Sequence, residues 1–122
     1  MSKRVLIVDD EPNIVTSLEF LLSHAGYELR VVRDGEAAIK AMDEFRPDLV
    51  LLDVMMPVRN GFEVCQMIRD NAAWQNVKVV MLTAKGRDTE VSKGLALGAD
   101  AYVSKPFSTK ALLECVKGLL GE

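Results

Sequence analysis

The stretch "VLIVDDEP", residues 5–12, runs four apolar side chains straight into three acids and a proline. Four consecutive apolar residues read as a strand covered on both faces, as in the middle of a parallel sheet. Pro12 suits the first turn of a helix, so the acids occupy the connection between strand and helix. There Asp9, Asp10 and Glu11 repel one another unless a cation sits among them.

Outward from this segment, apolar runs alternate with helical patterns five times along the chain. The first strand is read over Arg4 to Asp9. The first helix runs from Pro12 to Ala25, with Ile14, Leu18, Leu21, Leu22 and Ala25 on one face and Gly26 as its stop. Glu28 to Arg33 reads as a short strand. Asp34-Gly35 then turns into a helix carrying Ala38, Ala41, Met42 and Phe45, which Pro47 ends. Leu49 to Leu52 is a second wholly apolar run, followed by the loop "DVMMPVRNG" and a third helix presenting Phe62, Cys65 and Ile68 inward. Val77 to Leu82, Asp88 to Leu97, Ala101 to Ser104 and Thr109 to Leu120 complete the alternation as strand, helix, strand and helix. Strands alternating with helices run parallel, which predicts a three-layer, doubly wound α/β domain over residues 1–122.

Composition limits the alternatives. A chain of 122 residues, 49% hydrophobic and 27% charged, is one globular domain able to hold a core without disulfides or structural metal. Cys65 and Cys115 lack CxxC spacing and read as reduced thiols that pack as small hydrophobes. The apolar run near the N-terminus is too short for a signal peptide or a membrane span, so a cytoplasmic protein is expected. A formal net charge of -3 offers no basic patch for direct nucleic-acid binding.

In a parallel sheet one edge collects the C-terminal end of every strand, and ligands bind there where the winding reverses. Asp9 and Asp10, Asp53, Thr83 and Lys105 close the first, third, fourth and fifth strands. Each has a plain alternative: Asp10 as a helix cap, Thr83 as a cap or turn residue, Lys105 as a side chain snorkelling to water. Their joint placement favours a site. An all-oxygen donor set selects a hard cation, Mg²⁺ with Mn²⁺ as substitute, which Asp9 and Asp10 would hold facing Asp53. A carboxylate is itself a nucleophile in phosphoryl transfer. The charge on the three equatorial oxygens would then be met by the dication, by Lys105, and by the Thr83 hydroxyl with the Ala84 amide.

In "VLIVDDEP", "DLVLLDVMMPVRNG", "VVMLTAKG" and "GADAYVSKPF" the chain resembles the receiver domain of two-component response regulators over essentially its whole length. The resemblance implies strand order 2-1-3-4-5. It implies Asp53 as acceptor of a phosphoryl group from a sensor histidine kinase or phosphotransfer protein, and no activity beyond the domain's own phosphorylation and dephosphorylation. Asp10 and the Met55 carbonyl are implied as metal ligands, Asp9 as acting through water, and the Lys105-Pro106 peptide as cis. It further implies a switch through Thr83 and Tyr102, read by an output partner or effector domain on the surface of the fourth helix, fifth strand and fifth helix; a static, half-buried Tyr102 ring is the plain alternative.

Some positions depart from the family's common patterns. Met55 and Lys85 stand two residues after Asp53 and Thr83, where receivers flank the path of the hydrolytic water; the apolar Met55 predicts slow loss of phosphate. Ala101 and the Cys115-Val116 pair differ from the DNA-binding winged-helix subclass, which weakens the expectation of that type of dimer on phosphorylation. For a chain that ends just after Gly121, a receiver that stands alone is the expectation, with a piece of a longer regulator carrying an effector domain as the alternative. His24 reads as a helix C-terminal residue and Trp74 as a packing anchor away from the acids. Two rival readings share the layered fold, a flavodoxin-like FMN carrier and a Mg²⁺-dependent aspartyl-phosphate phosphatase. The first lacks a phosphate loop after its first strand, and the second lacks an acid at position 55.

Overall fold

In the computed structural model, which describes residues 3–56, 60–84 and 88–122, the expected alternation is present. The elements are β1 (Arg4–Val8), α1 (Pro12–His24), β2 (Glu28–Val32), α2 (Gly35–Glu44), β3 (Leu49–Asp53), α3 (Gly61–Asp70), β4 (Lys78–Ala84), α4 (Asp88–Ala96), β5 (Ala101–Lys105) and α5 (Thr109–Leu120). A short 3₁₀ helix, Ala72–Trp74, precedes β4. All strand pairs are parallel and the order is β2-β1-β3-β4-β5. From β1 the chain winds to β2 on one side, then crosses to β3 on the other, so the sheet's winding reverses between β1 and β3.

Alternating side chains of the central strands feed two cores. Leu6, Val8, Val50 and Leu52 pack with Ala38 and Met42 of α2 and with Val64, Cys65 and Ile68 of α3. Val5, Ile7, Leu49 and Leu51 pack with Leu18 and Leu22 of α1 and with Leu112 and Val116 of α5. The apolar runs of β1 and β3 are thus covered on both faces, each buried aliphatic side chain contributing roughly 1.5–3 kcal/mol. Helix starts are fixed locally: Asp34, Asn60 and Ser108 accept from the backbone N–H three residues on, and Pro12 occupies the first turn of α1.

Several strand ends shift by one or two residues. β4 continues to Ala84 because Thr83 and Ala84 pair with Ser104 and Lys105 of β5, and β3 includes Asp53, paired with Leu82. Arg69 of α3 fixes the opposite end of β4. Its guanidinium donates to the carbonyls of Gly98 and Val77 and to Asp100 Oδ2, which also accepts from the Val79 amide. Trp74 packs against the α2–α3 core just before β4, at the sheet end away from the acids, and His24 closes α1 with its ring 4.4 Å from that of Phe20. Both cysteines are free. Among the described residues no helix is long and apolar enough to cross a membrane.

Candidate functional site

The C-terminal ends of β1, β3 and β5 bring one lysine and four acids together. One carboxylate oxygen from each of Asp9, Asp10 and Asp53 lies within 4.8 Å of the others. Asp9 is fully buried and Asp53 nearly so, whereas Asp10 is exposed. Lys105 Nζ stands 2.9 Å from Asp9 Oδ2, 3.4 Å from Asp53 Oδ2 and 3.0 Å from Glu11 Oε1. The remaining oxygens are held by backbone: the Glu11 amide donates to Asp9 Oδ1 at 2.9 Å, and the Met55 amide to Asp53 Oδ1 at 3.3 Å.

Burying two carboxylates side by side is costly, and this geometry offsets only part of the cost. Burial and the charge of Asp9 push the Asp53 carboxyl up to about 6, against the pull of Lys105 and the Met55 amide. For Lys105, burial alone would lower the pKa. The close contacts with Asp9 and Glu11 and the fields of Asp53 and Asp9 outweigh it, so the net direction is up and the ammonium stays charged. Asp9 Oδ2, Asp53 Oδ2 and Thr83 Oγ1 are buried with no aligned hydrogen-bond donor among the described residues. The lysine therefore neutralises the two Oδ2 atoms by proximity, from outside hydrogen-bond alignment, and leaves their lone pairs available.

The other residues singled out in the sequence lie on β4, on β5 and in the loop after β3. Thr83 is buried at the end of β4, paired with Ser104 next to Lys105, and Ala84 is exposed opposite Lys105 itself. Met55 projects a 69% exposed side chain from the loop after β3. Tyr102 lies on β5 with its ring about half exposed. The Lys105-Pro106 peptide is cis. Lys85 lies outside the described residues.

Two contributors carry no clear mark in the sequence. Glu11 reaches Lys105 across 94 positions, a contact that only the closed sheet creates. Gly61 donates its amide to the Val54 carbonyl at 2.9 Å and lies against the backbone of Asp53, where a Cβ would stand 2.3 Å from the Asp53 carbonyl oxygen. Gly61 closes the stretch read from the sequence as the loop "DVMMPVRNG", with nothing in it to show which backbone would press against the glycine.

This fold recurs in known proteins. Residues 5–117 match the family model described as response regulator receiver domain. The chain belongs to that family. The receiver is 44% identical over 120 residues to the DNA-binding response regulator MtrA of Mycolicibacterium smegmatis, covering 98% of this chain and 51% of that one. It is 42% identical to the alkaline phosphatase synthesis transcriptional regulatory protein PhoP of Bacillus subtilis, covering 98% and 49%. The receiver thus spans about half the length of these curated relatives. Among solved structures it superposes on the receiver domain of sensor histidine kinase PA1611 of Pseudomonas aeruginosa with a TM-score of 0.91 and 28% identity, each chain covered in full. That crystal structure is described as having a magnesium ion coordinated in the active site cleft.

The raised Asp53 carboxyl has a measurable consequence in metal-free protein. A carboxyl whose folded pKa exceeds its unfolded value keeps its proton in the native state to higher pH, so native stability falls as pH rises between 3.8 and about 6. Above that window the ionised group remains a burden. Asp53→Asn is expected to stabilise the chelator-treated domain at neutral pH by about 2 kcal/mol, allowing for the ion pair with Lys105 that an amide cannot replace. The gain should vanish toward the acid end of the window. Urea titrations across pH read this directly, and a variant no more stable than wild type at neutral pH would contradict it.

Proposed function

We propose that Asp53 accepts a phosphoryl group from the phosphohistidine of a sensor histidine kinase or phosphotransfer protein. The observation that carries this reading is the pair of buried carboxylate oxygens, Asp9 Oδ2 and Asp53 Oδ2, facing one ammonium group with no aligned donor among the described residues. The donor set fits a hard dication: it is all oxygen, three acids offer ligands within 4.8 Å of one another, and lone pairs are unused. Asp10, Asp53 and the Met55 carbonyl would hold Mg²⁺, or Mn²⁺ in its place, with Asp9 acting through water. When bound, the ion supplies counter-charge to the acids and to the oxygens of the transferring group.

An Asp53 carboxylate oxygen attacks phosphorus in line, forming an acyl phosphate. The P–N bond of the donor breaks and its electron pair stays on the imidazole nitrogen, so no oxidant or reductant takes part. Lys105 meets one equatorial oxygen. The Thr83 hydroxyl, buried and without a partner among the described residues, donates to another together with the Ala84 amide. Drawing Thr83 toward the phosphoryl group would bias the half-exposed Tyr102 inward and change the face formed by α4, β5 and α5, a population shift between two packings. That face would meet an output partner or effector domain, with dimerisation on phosphorylation as one outcome. Binding DNA, as MtrA's description states of that protein, would fall to a different domain, since this one carries net negative charge. The domain would act in the cytoplasm and on no substrate but itself.

Acetyl phosphate with Mg²⁺, followed by intact mass, tests the reading. Wild type should gain one phosphoryl unit that hydroxylamine removes, and Asp53→Asn should gain none; an adduct that persists in Asp53→Asn would refute it. After removal of the donor the adduct should decay slowly, because the apolar, solvent-facing Met55 offers no group to orient an attacking water. A lifetime of seconds would count against that last point.

A further inference from the structure

We propose that Glu11 is a positioning residue that holds the Lys105 ammonium in its resting place and competes with the phosphoryl group for it, limiting the rate at which Asp53 is phosphorylated. The proposal rests on the reading of Asp53 as acceptor. Glu11 Oε1 lies 3.0 Å from Lys105 Nζ in an aligned hydrogen bond, whereas the contacts from Asp9 and Asp53 lack that alignment. The Glu11 side chain is 59% exposed, unlike the two buried aspartates.

A second observation points the same way. Glu11 occupies the N-cap of α1, where a side-chain oxygen ordinarily accepts from the first turn of the helix, yet it makes no such bond. Its carboxylate leaves the helix end uncapped and reaches to β5. The structural work at this position belongs instead to the Glu11 amide, which holds Asp9 Oδ1 and does not depend on the side chain. Changing the carboxylate therefore leaves the acidic cluster anchored.

The competition follows from charge. With a dication among Asp9, Asp10 and Asp53, those acids are neutralised and need the ammonium less. Glu11 is then the anion still paired with Nζ. An arriving phosphoryl group must take the lysine from it, in the field of one further negative charge. Because the pair is solvent-facing on the Glu11 side, the barrier involved is small, and its removal should raise the rate about two- to fivefold.

The experiment compares wild type, Glu11→Gln, Glu11→Asp and, as a control of equal charge change on an exposed part of α1, Glu19→Gln. Each is phosphorylated by acetyl phosphate at saturating Mg²⁺, and adduct formation is timed by intact mass at low and high salt. Glu11→Gln should be phosphorylated about two- to fivefold faster at low salt with the advantage shrinking at high salt, and Glu19→Gln should match wild type. Glu11→Asp, which keeps the charge, should stay closer to wild type than Glu11→Gln does. Independently of phosphorylation, the Lys105 ammonium resonance of the metal-free protein should move in Glu11→Gln and not in Glu19→Gln. An equal or slower rate for Glu11→Gln, or an unmoved Lys105 resonance, would overturn the proposal while leaving Asp53 as acceptor. A wild-type chain that gains no adduct would overturn the Asp53 reading, and this proposal with it.

Discussion

Gly61→Ala is expected to destabilise the domain by about 3 kcal/mol or more, although it adds a single methyl group. The new Cβ would stand 2.3 Å from the Asp53 carbonyl oxygen, 2.9 Å from Val54 Cα and 3.0 Å from the Asp53 carbonyl carbon. All three are backbone atoms, so no flexible side chain can give way. The N-terminus of α3 must back off, stretching the bond from the Gly61 amide to the Val54 carbonyl and turning the end of β3 that carries Asp53. The cost should therefore appear in two places. Urea unfolding should show the lost stability, and whatever folds should be phosphorylated by acetyl phosphate far more slowly than wild type. A variant within about 1 kcal/mol of wild type would show that the close approach of α3 to β3 is not needed.

Lys105→Met should cost about 3–5 kcal/mol at neutral pH in metal-free protein. Methionine replaces the apolar stem of the lysine but leaves Asp9, fully buried, and Asp53, 5% exposed, with no counter-charge between them. Lys105 is one of the groups holding the Asp53 carboxyl down, so in its absence that carboxyl rises further above its ordinary value. The sign follows: the destabilisation should be greatest where Asp53 is ionised and shrink as pH falls through its folded pKa. Mg²⁺ should restore part of the loss, because a bound dication supplies the missing positive charge. A loss that is the same at all pH values and indifferent to Mg²⁺ would mean that lysine acts here through packing alone.

How much of this could be read from the residues depended on the range of each contact. The runs at residues 5–8 and 49–52 are apolar throughout because both faces of β1 and β3 are covered, and periodicity reports that directly. Asp9 and Asp53 were legible because a short acidic side chain at a strand end has only one edge to occupy. Strand lengths were less so: Thr83 and Ala84 belong to β4 through their pairing with β5, which no local pattern encodes. Glu11 read as one more acid in a repelling row, since its long side chain finds its partner only when β5 lies in place beside β4. Arg69 was invisible for the same reason. Its bonds to Val77, Gly98 and Asp100 join three segments that are distant from α3 in sequence, and an arginine on a helix looks alike whether it is solvated or buried in such a network.

The most direct measurement is calorimetric titration of the metal-free domain with Mg²⁺ near neutral pH. Binding of one ion per chain is predicted, markedly weakened in Asp10→Asn and in Asp53→Asn, each of which removes one negative charge from the cluster. No heat of binding in wild type, or binding untouched by either substitution, would contradict the claim that these acids are arranged around a dication.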